Sequence, residues 1–71
     1  MKRFGEKLRR LRQARELTVR QLAGLLEMKS HSHISDMESG RSLPSVELLV
    51  KLADYFGVTL DQLLRDELEI D

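Results

Sequence analysis

The stretch that decides the fold runs from Thr18 to Gly40: TVRQLAGLLEMKSHSHISDMESG. Val19, Leu22, Ala23 and Leu26 recur at the spacing of one helical face. Thr18 followed by Gln21 is a capping-box pattern. The threonine hydroxyl takes the amide of the glutamine, and the glutamine side chain returns to the threonine amide. Ile34 and Met37 mark the inner side of a second helix, and Gly40 stands where a helix ends in the left-handed conformation. Glu27, Met28 and Lys29 leave room only for a turn. Two short helices about an abrupt corner make a helix-turn-helix pattern.

Outward from this stretch the periodicity continues. Phe4, Leu8, Leu11 and Ala14 predict a first helix over 2–14. Helix 2 is expected from Thr18 to about Leu26, and helix 3 from Ser30 or His31 to Ser39. Ser45 is the cap of a fourth helix, with Glu47 in its first turn and Val46, Leu49, Leu52, Ala53 and Phe56 as its buried stripe. Gly57 ends it. Thr59 with Gln62 is a second capping box and opens a fifth helix to about Arg65. The expectation is an all-α, compact five-helix domain over 1–65, followed by an acidic tail over 66–71.

These residues also resemble a known family, the phage repressor and Cro-like helix-turn-helix proteins, also named for the xenobiotic response element. The resemblance rests on Leu17-Thr18, Leu22-Ala23, Leu26, Ile34-Ser35, Glu38, Gly40 and Pro44-Ser45. It continues through Leu49, Leu52-Ala53, Gly57 and Leu60 to Leu64. It implies a lambda-repressor-like fold and sequence-specific binding of double-stranded DNA, with helix 3 in the major groove. It also implies a structural ion pair between Arg12 of helix 1 and Glu38. Two departures stand out. Glu27 occupies the position of the usual turn glycine, and one extra residue lies between Leu26 and Ile34. The longer turn is expected to remove the need for a left-handed residue there.

Matched to the family through Ile34, the base-reading positions are His31, Ser32, Ser35 and Asp36, with Ser30 and His33 at the margin. Serine donates or accepts, aspartate accepts from cytosine N4, and histidine donates to guanine. Ser30 reads better as a cap. Phosphate contacts are expected from Thr18 and Val19 at the start of helix 2, where backbone N–H groups are free. Lys29, Ser39 and Arg41 flank helix 3 and complete that set. Where many family members carry a glutamine, Val19 offers no side-chain donor. Arg20 is a further cation nearby.

Composition limits the alternatives. With 71 residues the chain makes one domain, and 41% hydrophobic residues suffice for a small core. Cysteine is absent, which excludes disulfides and thiolate metal sites. His31 and His33, two residues apart on a helix, diverge too far to share an ion. No metal or cofactor is expected. Neither a glycine-rich phosphate loop, a nucleophile elbow nor an HExxH motif is present, so the chain does not read as an enzyme. No apolar run reaches membrane-spanning length, and a cytoplasmic location is expected.

Formal net charge is zero. Its distribution is uneven: residues 1–29 carry nine Lys/Arg against three Glu, whereas residues 30–71 carry three against nine acids. The basic half, including Lys2, Arg3, Lys7, Arg9 and Arg12, is expected either to face phosphates or to be solvated surface. The expected function is a transcriptional regulator, a repressor, binding a palindromic operator as a homodimer, with Leu68 and Ile70 as candidates for the dimer face. The rival from another class is a protein-interaction module, an antitoxin or adaptor gripping a partner protein through helix 3.

Overall fold

The computed structural model describes residues 1–70; Asp71, the last residue of the expected tail, lies outside them. Five helices follow in order: α1 (Phe4–Ala14), α2 (Val19–Leu25), α3 (Ser32–Ser39), α4 (Val46–Phe56) and α5 (Leu60–Leu64). No strand occurs among the described residues. Phe4, Leu8, Leu22, Ile34, Met37 and Leu52 meet in one core that every helix enters, α5 through Leu63. The most extensive packing is that of α1 on α3.

Local chemistry explains the starts. Thr18 and Thr59 both form complete capping boxes with Gln21 and Gln62. Ser45 accepts the Leu48 amide at 3.1 Å and starts α4. Helix α1 is different. It begins at Phe4, not Lys2, and Arg3 makes no side-chain cap. The cap comes from the far end of the chain: Asp66 accepts the amides of Lys2 and Arg3, each at 2.9 Å. Those two residues are thereby held outside the helix, in a geometry no nearby sequence signals.

Helix ends repeat one device. The amides of Leu17, Met28, Arg41 and Val58 each reach back five residues, to the carbonyls of Arg12, Ala23, Asp36 and Ala53. Each closure places the preceding residue in the left-handed region: Gly40 at φ 84 and Gly57 at φ 67, but Glu16 at φ 56 and Glu27 at φ 58. The expectation that the longer turn frees position 27 is therefore corrected. Left-handed geometry is set by how α2 closes, and the extra residue falls after it, in the segment leading to α3. A side chain in this region costs about 1–2 kcal/mol.

Burial corrects two further expectations. Lys7 is fully buried, at 0% exposure. Its ammonium donates to the Gln62 and Arg65 carbonyls at 2.5 and 2.7 Å. These are carbonyls at the end of α5, where the helix leaves acceptors open and the dipole favours a cation. Val46, expected in the α4 stripe, is 75% exposed, and Leu48 is buried instead. With about 100° per residue, Val46 lies roughly 90° from the centre of the buried face.

The tail is docked. Arg3 forks onto the Glu69 carboxylate at 3.0 and 3.1 Å and donates to the Asp66 carbonyl at 2.8 Å. Ile70 is half-buried beside Arg10, Leu11 and Ala14, while Leu68 stays exposed. Amide hydrogen bonds from Arg3 and Lys2 hold the Asp66 carboxyl below its ordinary range. The Arg3 fork does the same for Glu69.

Candidate nucleic-acid interface

The interface is built on α3. Its inner side is fixed by Ile34 and Met37, both buried in the core. Ser32 and Ser35 face solvent, His31 just before the helix is exposed, and Asp36 is half-buried. These four residues therefore lie on or beside the side of α3 that the core leaves open. His33 does not join them. It lines a cavity of about 220 Å³ with Met28, Ser45 and Leu48, toward the start of α4. Ser30 lies outside the helix: its hydroxyl accepts the Ser32 amide at 3.3 Å and shares a hydrogen bond with the Ser32 hydroxyl at 2.6 Å. His31 is the residue preceding α3 and makes no side-chain cap.

A pair of arginines locks this helix from behind. Arg12 Nε donates to Glu38 Oε2 at 2.6 Å, and its Nη2 donates to Oε1 at 3.0 Å. The third donor, Nη1, meets the Leu17 carbonyl at 2.7 Å. The Glu38 side chain is 3% exposed and that of Arg12 14%. Hydrogen bonding to Glu38 raises the Arg12 guanidinium above its ordinary pKa. This is the fork geometry that makes arginine the residue of choice for partly desolvated pairs. Glu38 is thereby turned away from the exposed side of α3. Arg9 adds a second donor to Glu38 Oε1 at 3.3 Å, a partner the sequence reading missed. Gly5, Arg9 and Arg12 repeat at i, i+4 and i+7, which is the available signal for a shared face.

Among the described residues, Arg20, Lys29 and Arg41 have no ion-pair partner, and all three are exposed. Phosphate oxygens only accept, so each flanking hydroxyl must have a proton to give. Thr18 does: its oxygen accepts the Gln21 amide at 3.1 Å, leaving the hydroxyl proton free. Ser39 donates its proton to the Asp36 carbonyl at 3.1 Å, so contact with a phosphate requires breaking that bond. Val19 is half-buried against the core and offers only its backbone N–H. No group of three or more His, Cys, Asp or Glu among the described residues is placed to hold a metal. None of the described helices is long and apolar enough to cross a membrane.

Comparison with known proteins places this geometry in a lineage. The chain is similar to a protein named HTH-type transcriptional activator BcrR, from Enterococcus faecalis. The two are 44% identical over 64 residues, covering 90% of this chain and 31% of that protein. It is also 44% identical over 60 residues to one named HTH-type transcriptional regulator DdrOP3, from Deinococcus deserti, covering 84% of this chain and 46% of that protein. The chain thus spans less than half the length of these curated relatives. No solved structure matches it. A family profile described as a helix-turn-helix domain matches residues 3–68, the whole of the five-helix frame. The chain belongs to the helix-turn-helix domain family, of the xenobiotic-response-element type.

Proposed function

We propose that the protein is a sequence-specific DNA-binding transcriptional regulator that inserts α3 into the major groove. The observation that carries this reading is the exposed polar side of α3, backed by Ile34 and Met37 and flanked by cations without acidic partners. His31, Ser32, Ser35 and Asp36 are the base readers. Lys29 and Arg41, with Arg20 behind them, engage phosphates as mobile cations. The Thr18 hydroxyl and the Val19 amide add neutral donors beside them. The readers include no Arg, Lys, Asn or Gln, so one copy forms few strong bidentate base contacts. Two copies on a palindrome double the contacts, with half-sites one DNA turn, about 34 Å, apart. Repression is the favoured direction, because steric occupation of a promoter requires only the DNA-binding surface.

Selection of bound duplexes from a random pool at moderate salt tests the reading. The expected result is a palindrome with half-sites about ten base pairs apart. Recovery of no sequence by folded protein would overturn it and move the rival antitoxin or adaptor reading to first place.

A further inference from the structure

Gly5 lies where α1 crosses α3. A Cβ on Gly5 would stand 2.6 Å from the carbonyl oxygens of both Met37 and Glu38, and 3.0 Å from the Glu38 carbonyl carbon. All three atoms are backbone, so no side chain can swing aside to make room. Restoring ordinary contact requires the two helices to part by the better part of an ångström. Other glycines differ: a Cβ on Gly24 would meet open space, and Gly40 and Gly57 serve their left-handed closures. Gly5 itself sits inside α1, where glycine is disfavoured relative to alanine. What recommends it there is the close approach.

The two carbonyls it faces belong to α3 itself. One and two turns away on the same side, Arg9 and Arg12 hold Glu38. Gly5 thus permits the close approach of α1 and α3, and the arginine fork limits how α3 rotates. We infer that Gly5 is a positioning residue for recognition: its missing side chain sets how far the reading side of α3 projects from the domain. The inference rests on the proposed DNA-binding function.

Base-edge contacts depend on placement within a fraction of an ångström, whereas attraction to phosphates depends mainly on charge and tolerates displacement. A shift of α3 therefore removes specificity and leaves nonspecific binding. The test compares wild type, Gly5→Ala, Gly5→Ala in a Glu16→Gly background, and Val58→Ala as a destabilised control away from the α1–α3 contact. Each is measured on the selected duplex and on a random duplex, at a temperature where circular dichroism shows it folded. Gly5→Ala is expected to lose about tenfold on the selected duplex, equivalent to about 1.4 kcal/mol or one base contact. Its affinity for the random duplex should stay within about twofold. Its backbone amide shifts should move over 32–39 more than over 46–64. The Val58→Ala control should keep the wild-type ratio between duplexes.

An unchanged ratio for Gly5→Ala would overturn the inference. So would loss of the fold in both Gly5 variants, which would assign Gly5 to folding alone. Failure of the wild type to prefer any duplex would instead overturn the DNA-binding reading, and the amide shifts would still report whether Gly5 places α3.

Discussion

Two groups of cations divide the molecule. Lys7 and Arg12 on α1 turn inward, one onto the closing carbonyls of α5 and one onto Glu38. Arg20, Lys29 and Arg41, around the helix-turn-helix, turn outward and have no acidic partner among the described residues. In the sequence all but Arg41 belong to one basic half, residues 1–29. In the fold they perform different work: the inner group holds α3 and α5 against α1, and the outer group is free to meet an anion. The difference teaches that a charge excess is not a binding surface until each charge has been matched with its partner. Of the nine cations in residues 1–29, at least Lys7, Arg3 and Arg12 are committed to structure.

The comparison can be broken most sharply at the inner group. Arg12→Ala leaves the buried Glu38 carboxylate with Arg9 alone. The cost should be about 3 kcal/mol, near the lower end of the range for breaking a buried pair, because Arg9 compensates in part. Urea unfolding checks it; a change below about 0.5 kcal/mol would show that the fork is dispensable. Lys7→Met keeps the length of the side chain but removes the ammonium from the part-buried Gln62 and Arg65 carbonyls, of which only that of Arg65 keeps another donor, the Leu68 amide. A loss of about 2–3 kcal/mol is expected.

Smaller effects sharpen the contrast. Glu27→Gly removes the left-handed strain at the end of α2, offset by the entropy of glycine in the unfolded chain. A net gain of about 0.5–1 kcal/mol should appear in the same unfolding measurement. Asp66 and Glu69 have folded pKa values below their unfolded ones. Their stabilising contribution is therefore present above the unfolded carboxylate range, about pH 4, and is lost as pH falls through the folded values. An acid titration should show the start of α1 loosening first, and Asp66→Asn should flatten that part of the profile. Among the outer cations, Lys29→Ala and Arg41→Ala should change stability by less than about 0.5 kcal/mol.

Much of the frame was legible because its signals are local. The two Thr-x-x-Gln boxes, Ser45, Gly40 and Gly57 fix five helix starts or ends with chemistry confined to a few residues, and Ile34 with Met37 orients α3. The Arg12–Glu38 pair was accessible through resemblance. What escaped was decided by tertiary partners. Lys7 is one cation among many in α1 until the end of α5 arrives beneath it. Asp66 caps α1 from 63 residues away, as the hydrogen bond to Arg3 spans. Glu27 stands where the resemblance places a glycine, but its side chain carries no mark of left-handed geometry, because the closure of α2 imposes it on whichever residue follows. Ser39 reads as a phosphate donor until its proton is found on the Asp36 carbonyl, and His33 reads as a margin of the recognition face until α4 draws it aside.

The most direct test of the account is the salt dependence of affinity for the selected duplex, measured for wild type and for Lys29→Ala and Arg41→Ala. The account predicts that log K falls linearly with log salt, and that each substitution reduces the slope by about 1 while leaving the preferred sequence unchanged. A slope unaltered by both substitutions, or a flat response in the wild type, would contradict the claim that the outward cations engage phosphates around α3.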